Sequence, residues 1–204
     1  GADAPLGYTE EGVEDIAVTS YRPNPTRSSY GGLYVILLDA EFRLESFDHA
    51  DGFLSNNGEL GGAVVATGDL TGDGVPNVAV TDTFWDKFQH SGVVPDRRWA
   101  ICVVMLDRTG AIGYAVQGTR CASDWTTAHR DFHMGCGMTN TDDLDGDGFA
   151  DVMVSGCPNK DVSMTTQEQH KIAPVYLNAP GSVRIGSHIT MAYQRPRSGL
   201  TSYH

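Results

Sequence analysis

The feature that most constrains this chain is that it repeats itself. Residues 60–82, LGGAVVATGDLTGDGVPNVAVTD, align without a gap on residues 134–156, MGCGMTNTDDLDGDGFADVMVSG, with Asp69 falling on Asp143. Each copy runs from a small-residue strand through an acidic, glycine-rich turn into a Val-rich strand. A third copy of that last strand is DIAVTSY at Asp15–Tyr21, matching NVAVTDT and DVMVSGC. Downstream, Tyr34–Leu44 (YVILLDAEFRL), Val103–Ile112 (VVMLDRTGAI) and Val175–Ile185 (VYLNAPGSVRI) correspond, with Asp39, Asp107 and Asn178 at one turn position. Repetition at this period means that one supersecondary unit is stacked several times, because a single unit cannot bury its own apolar face.

The predicted fold is therefore all-β: a single domain over residues 1–204 holding three repeats, about 1–59, 60–133 and 134–204. Each has about four short antiparallel strands, the size of a propeller blade. The segments that differ in length, Arg22–Gly32, Phe84–Arg98 and Pro158–Ala173, all fall between second and third strands and are expected on one face. No long window has helical periodicity, and the 24 glycines suit tight turns rather than long helices. The second and third repeats each supply a first strand, whereas Gly1–Leu6 stand where the first strand of repeat 1 would be.

The acids are concentrated in the turns. In Asp69-Leu-Thr-Gly-Asp-Gly-Val-Pro-Asn77, side-chain oxygens stand at positions 1, 3, 5 and 9 (Asp69, Thr71, Asp73, Asn77). In Asp143-Leu-Asp-Gly-Asp-Gly-Phe-Ala-Asp151 the same positions are Asp143, Asp145, Asp147 and Asp151. Calcium takes six to eight hard oxygens in a flexible shell. Alternate residues of a tight loop can turn oxygens inward, a glycine at position 6 permits the bend, and the carbonyls of Val75 and Phe149 at position 7 add a ligand each. An EF-hand would need a Glu at position 12, where this chain has Val80 and Val154. In repeat 1 the loop reads Gly7-Tyr-Thr-Glu-Glu-Gly-Val-Glu-Asp15, so position 1 lacks an oxygen and weak calcium binding, or none, is expected.

GDLTGDGVPNVAV and DDLDGDGFADVMV resemble the calcium-binding loops of FG-GAP repeats, the units of the integrin α-subunit β-propeller. The resemblance spans most of the chain through its three repeats. The Gly-Ala-Pro signature that follows the second strand in that family is replaced here by Thr-Ser-Tyr, Thr-Asp-Thr and Ser-Gly-Cys. What the resemblance implies is an integrin-like, extracellular, calcium-binding structural or adhesive module. It allows two alternatives, a carbohydrate-binding lectin and a polysaccharide lyase.

Other classes are disfavoured. A formal net charge of −12 argues against nucleic acid, and no apolar run reaches the length of a membrane span. No nucleophile elbow or phosphate-binding loop is present, and His129-Arg-Asp131 lacks every companion motif of a kinase, so no enzyme is expected. Cys102, Cys121, Cys136 and Cys157 contain no C-x-x-C pair and read as disulfides, the alternative being four buried thiols. Cys136 and Cys157 flank the second acidic turn, and Cys102 and Cys121 flank a turn at Thr109-Gly110, so the pairings 102–121 and 136–157 are predicted among three connectivities. Three repeats are fewer than the four to eight of closed propellers. The open edges predict either membership of a larger ring or pairing with copies of the chain, as a ring or a filament. A protein or glycan is the ligand expected on the variable loops.

Overall fold

The computed structural model describes residues 4–5, 15–20, 31–51, 60–85, 98–107, 111–112, 120–123, 132–158, 169–178, 182–187 and 189–192. These form thirteen strands in three antiparallel sheets, with no helix among the described residues. The first sheet contains β1 (Ala4–Pro5), β2 (Ile16–Ser20), β3 (Gly32–Leu38) and β4 (Leu44–Asp51). The second contains β5 (Leu60–Gly68), β6 (Asn77–Trp85), β7 (Arg98–Val104) and β8 (Arg120–Ser123). The third contains β9 (Phe132–Asn140), β10 (Val152–Pro158), β11 (Gln169–Asn178), β12 (Ser182–Ile185) and β13 (Ile189–Ala192). In each sheet the first four strands are neighbours in chain order, so each repeat is an up-and-down antiparallel meander.

Three details differ from the sequence expectations. Ala4 and Pro5 do form a first strand in repeat 1, paired with Ala17 and Ile16, although only two residues long. The fourth strand of repeat 2 was expected near Ile112, but pairing with β7 begins at Arg120, and Ile112 is instead buried in the core. The third sheet has a fifth strand. β12 pairs with the Val175–Asn178 half of β11 and β13 with its Gln169–Ile172 half, so the two lie end to end along one edge. Gly186 marks the break and donates its N–H to the Pro174 carbonyl at 2.8 Å. The three long connections do join second to third strands; their interiors, 21–30, 86–97 and 159–168, lie outside the described residues.

The sheets stack face to face, with the second in the middle. Because side chains alternate along a strand, the middle sheet splits its apolar residues between two cores. Val78, Val80, Cys102 and Val104 meet Ala17, Leu33 and Val35 of the first sheet. Ala79, Ile101 and Val103 meet Val152, Val154, Ala173 and Val175 of the third. Strands buried on both faces read as continuous Val/Ile runs, which explains NVAVTD and AICVV. Burying each Val, Leu or Ile among them contributes about 1.5–3 kcal/mol. At the second junction the backbones come close. The Thr81 hydroxyl donates to the Gly135 carbonyl at 2.7 Å, and a Cβ at Gly135 would lie 2.9 Å from that of Thr81. Gly135 also has φ of +98°, so this contact requires glycine twice over.

A candidate metal centre in the acidic turn

The turns are built by carboxylates acting on their own backbone. In the β5–β6 turn, Asp69 accepts N–H groups from Thr71 (3.1 Å), Gly72 (2.7 Å), Asp73 (3.2 Å) and Gly74 (2.7 Å), with the Thr71 hydroxyl at 3.2 Å. In the β9–β10 turn, Asp143 accepts from Gly146 (2.6 Å), Asp147 (3.1 Å) and Gly148 (2.7 Å). Position 5 makes a second bend, Asp73 accepting from Val75 at 2.9 Å and Asp147 from Phe149 at 3.0 Å. These are Asx-type turns repeated through one loop. The loop winds tightly enough that positions 4 and 6 both take positive φ, Gly72 and Gly74 in one copy and Gly146 and Gly148 in the other. The bend at position 6 is the one expected from the sequence; position 4 bends as well, a need that the spacing of the ligand oxygens does not reveal.

Concentrating N–H donors on one carboxylate stabilises its charged form. The Gly74 N–H, with those of Gly72 and Thr71, holds Asp69 below the ordinary carboxylate range against some desolvation. Gly148, with Gly146, does the same for Asp143. Both turns are thus organised around a fixed anion.

Position 9 has a different role. Asp15, Asn77 and Asp151 are all fully buried. One oxygen of each accepts the N–H of a leucine within two residues of the end of the third strand of its sheet: Leu38 (3.0 Å), Leu106 (3.2 Å) and Leu177 (2.9 Å). The contact ties the turn to the strand two places away and puts Asp39, Asp107 and Asn178 directly after it. Asp151 uses its other oxygen for the Leu144 N–H at 2.8 Å, inside its own loop.

As a result the third-sheet turn gathers charge. One oxygen from each of Asp143, Asp145 and Asp151 lies within 4.8 Å of the others. Among the described residues, no other trio of His, Cys, Asp or Glu converges in this way. Asp147, the fourth predicted carboxylate, is not in the cluster; it is turned to the Phe149 N–H. Arg184 of β12 approaches from one side, 3.0 Å from Asp145 and 4.0 Å above the Tyr176 ring. One exposed guanidinium does not balance three carboxylates at this separation, one of them fully buried. An all-oxygen set without nitrogen or sulfur suits a hard divalent ion. The trio can hold a metal ion.

The β5–β6 turn has the same backbone with fewer charges. Asp69 is half-buried and Asp73 exposed, Thr71 is engaged with Asp69, and Asn77 replaces the buried aspartate. Val75 is buried in the first core and Phe149 packs against the second, so position 7 anchors each loop. In repeat 1, residues 6–14 lie outside the described residues, and with them Gly7, Thr9 and Glu11 of its loop.

Cys102 and Cys136 are each disulfide-bonded. Cys121 faces Cys102 directly in the β7–β8 register. Cys157 faces His133, while Cys136 lies in the bulge where the β9–β10 register shifts. Compared with protein-family models and with curated proteins, the sequence matches none.

Proposed function

We propose that this chain is a calcium-binding structural or adhesive module of the β-propeller kind, working outside the cell without catalytic activity. In this reading the three sheets are blades, and calcium in the acidic turns fixes the strand ends they connect. The long second-to-third-strand connections meet a protein or glycan partner, and copies of the chain associate into a ring or filament. The observation that carries the reading is the convergence of Asp143, Asp145 and Asp151 in a turn whose backbone is already wound around Asp143. Calcium suits this site better than magnesium, because a flexible, many-oxygen shell tolerates a loop of irregular geometry. Disulfide-bonded cysteines support an oxidising compartment.

Ligand charge sets calcium affinity, so two unequal sites are expected, the β9–β10 turn tighter than the β5–β6 turn. Calorimetric titration of the chain with calcium should show both. Asp145→Asn should weaken the tighter event and leave the weaker one in place. Absence of calcium binding at millimolar concentration would contradict the reading.

A further inference from the structure

The two junctions between sheets use the same pair of faces. Aligned on the buried position-9 residues, Val78, Val80 and Val104 of the second sheet correspond to Val152, Val154 and Val175 of the third. The first set is buried against the first sheet and the second set against the second. The opposite faces correspond as well: Ala17, Leu33 and Val35 of the first sheet are the counterparts of Ala79, Ile101 and Val103 of the second. Each junction is therefore one standard face meeting the other.

The end sheets leave one face of each kind largely uncovered, although Pro174, the third-sheet counterpart of Val103, is already buried beside Gly186. On the first sheet, Ile16, Val18, Ile36 and Leu38 are the counterparts of residues that are fully or almost fully buried in both other sheets, yet here they are only half-buried. Phe47, directly opposite Ile36 in the β3–β4 register, is 59% exposed. On the third sheet the clearest case is Leu144. Its counterpart in the preceding turn, Leu70, is 1% exposed beneath the third sheet, whereas Leu144 is 48% exposed. Met153 and Ile172 stand where Ala79 and Ile101 are buried, and Ile189, opposite Ile172, is 51% exposed. Ser155 stands in the place of Thr81, whose hydroxyl reaches across to the next sheet.

We infer that the outer face of the third sheet docks on the outer face of the first sheet of a second copy of this chain, continuing the stack head to tail. The partner follows from the internal junctions: Ile16, Val18 and Ile36 on the outer face of the first sheet are the counterparts of Val152, Val154 and Val175, the third-sheet residues that meet Ala79, Ile101 and Val103 of the second. This differs from strand pairing at blade edges, since here the contact is sheet on sheet, apolar around Ile172 and Ile189 and bordered by Arg184 over Tyr176. The interface is heterologous, so it closes into a ring or extends into a filament according to the rotation per step. The inference rests on the self-association within the proposed function and specifies which surfaces join.

Sedimentation velocity of the full chain in calcium, with two variants, tests it. Phe47→Lys spoils the first-sheet face and Ile189→Lys the third-sheet face; both side chains are exposed, and circular dichroism checks that each variant folds. The wild type should associate as its concentration rises through the micromolar range, and each variant should sediment as a monomer. Mixed in equal amounts, the two variants should form one-to-one dimers and stop, because each retains the face the other lacks. Three results overturn the inference. A wild-type chain that stays monomeric removes self-association altogether. Folded variants that associate like the wild type leave self-association standing and remove these faces from it. Monomeric variants that fail to pair when mixed exclude the head-to-tail arrangement.

Discussion

At the residue scale, the most informative position is the ninth of each acidic loop. Asp151 is a candidate metal ligand and also a buried acceptor for Leu177 and Leu144. The two roles separate by substitution. Asn77 shows that an amide oxygen suffices for the structural bond, since it accepts the Leu106 N–H in the same place. Asp151→Asn should therefore keep the Leu177 bond, lose the Leu144 one because an amide nitrogen cannot accept, and so cost less stability without calcium than loss of both acceptors, while weakening calcium binding. Asp151→Ala removes both acceptors and leaves a buried N–H unsatisfied, at a cost of about 1–3 kcal/mol. Urea denaturation of the two variants in chelator checks this, and equal loss in both would contradict the assignment of Asp151 as a hydrogen-bond anchor. The spacing of acids showed which residues could be ligands, but not this second duty, because the N–H it satisfies belongs to a strand 26 residues further on. Nor did spacing reveal that Asp147 turns away; at position 5 the local Asx bend competes for the carboxylate.

At the element scale, alternation and turn chemistry carried most of the fold. The runs DIAVTS, NVAVTD and DVMVSG are second strands in all three sheets, and the acidic loops connect first to second strands in the two repeats where they are described. What the pattern could not fix was where a fourth strand begins. Ile112 reads as a strand start because it is apolar and follows a turn, but the core captures it: its N–H donates to Asp48 of β4 at 2.7 Å and its side chain is buried. The split of the last edge into β12 and β13 likewise depends on Gly186 lying against Pro174, a tertiary contact with no local signature. The disulfides belong to this scale too. With Cys102 and Cys121 directly opposite, non-reducing peptide mapping should recover 102–121 and, with it, 136–157; a peptide joining Cys121 to Cys136 would contradict the pairing.

At the scale of the whole molecule, three meanders share one stacking rule, and the rule was only half legible in the sequence. Repetition showed that units stack; it did not show that the middle sheet hides both faces while Leu144 and Phe47 remain exposed at the two ends. Stability should depend on the turns as much as on the cores, since each loop's position-9 residue ties its turn to the third strand. An ion held by Asp143, Asp145 and Asp151 would bind the folded chain and not the unfolded one, and so would stabilise it by mass action. The direct measurement is thermal unfolding of the same preparation in calcium and in chelator. The expected result is a Tm that climbs steadily with calcium concentration, with most of the rise abolished in Asp145→Asn. A Tm unchanged between chelator and millimolar calcium would contradict a metal centre in the acidic turn.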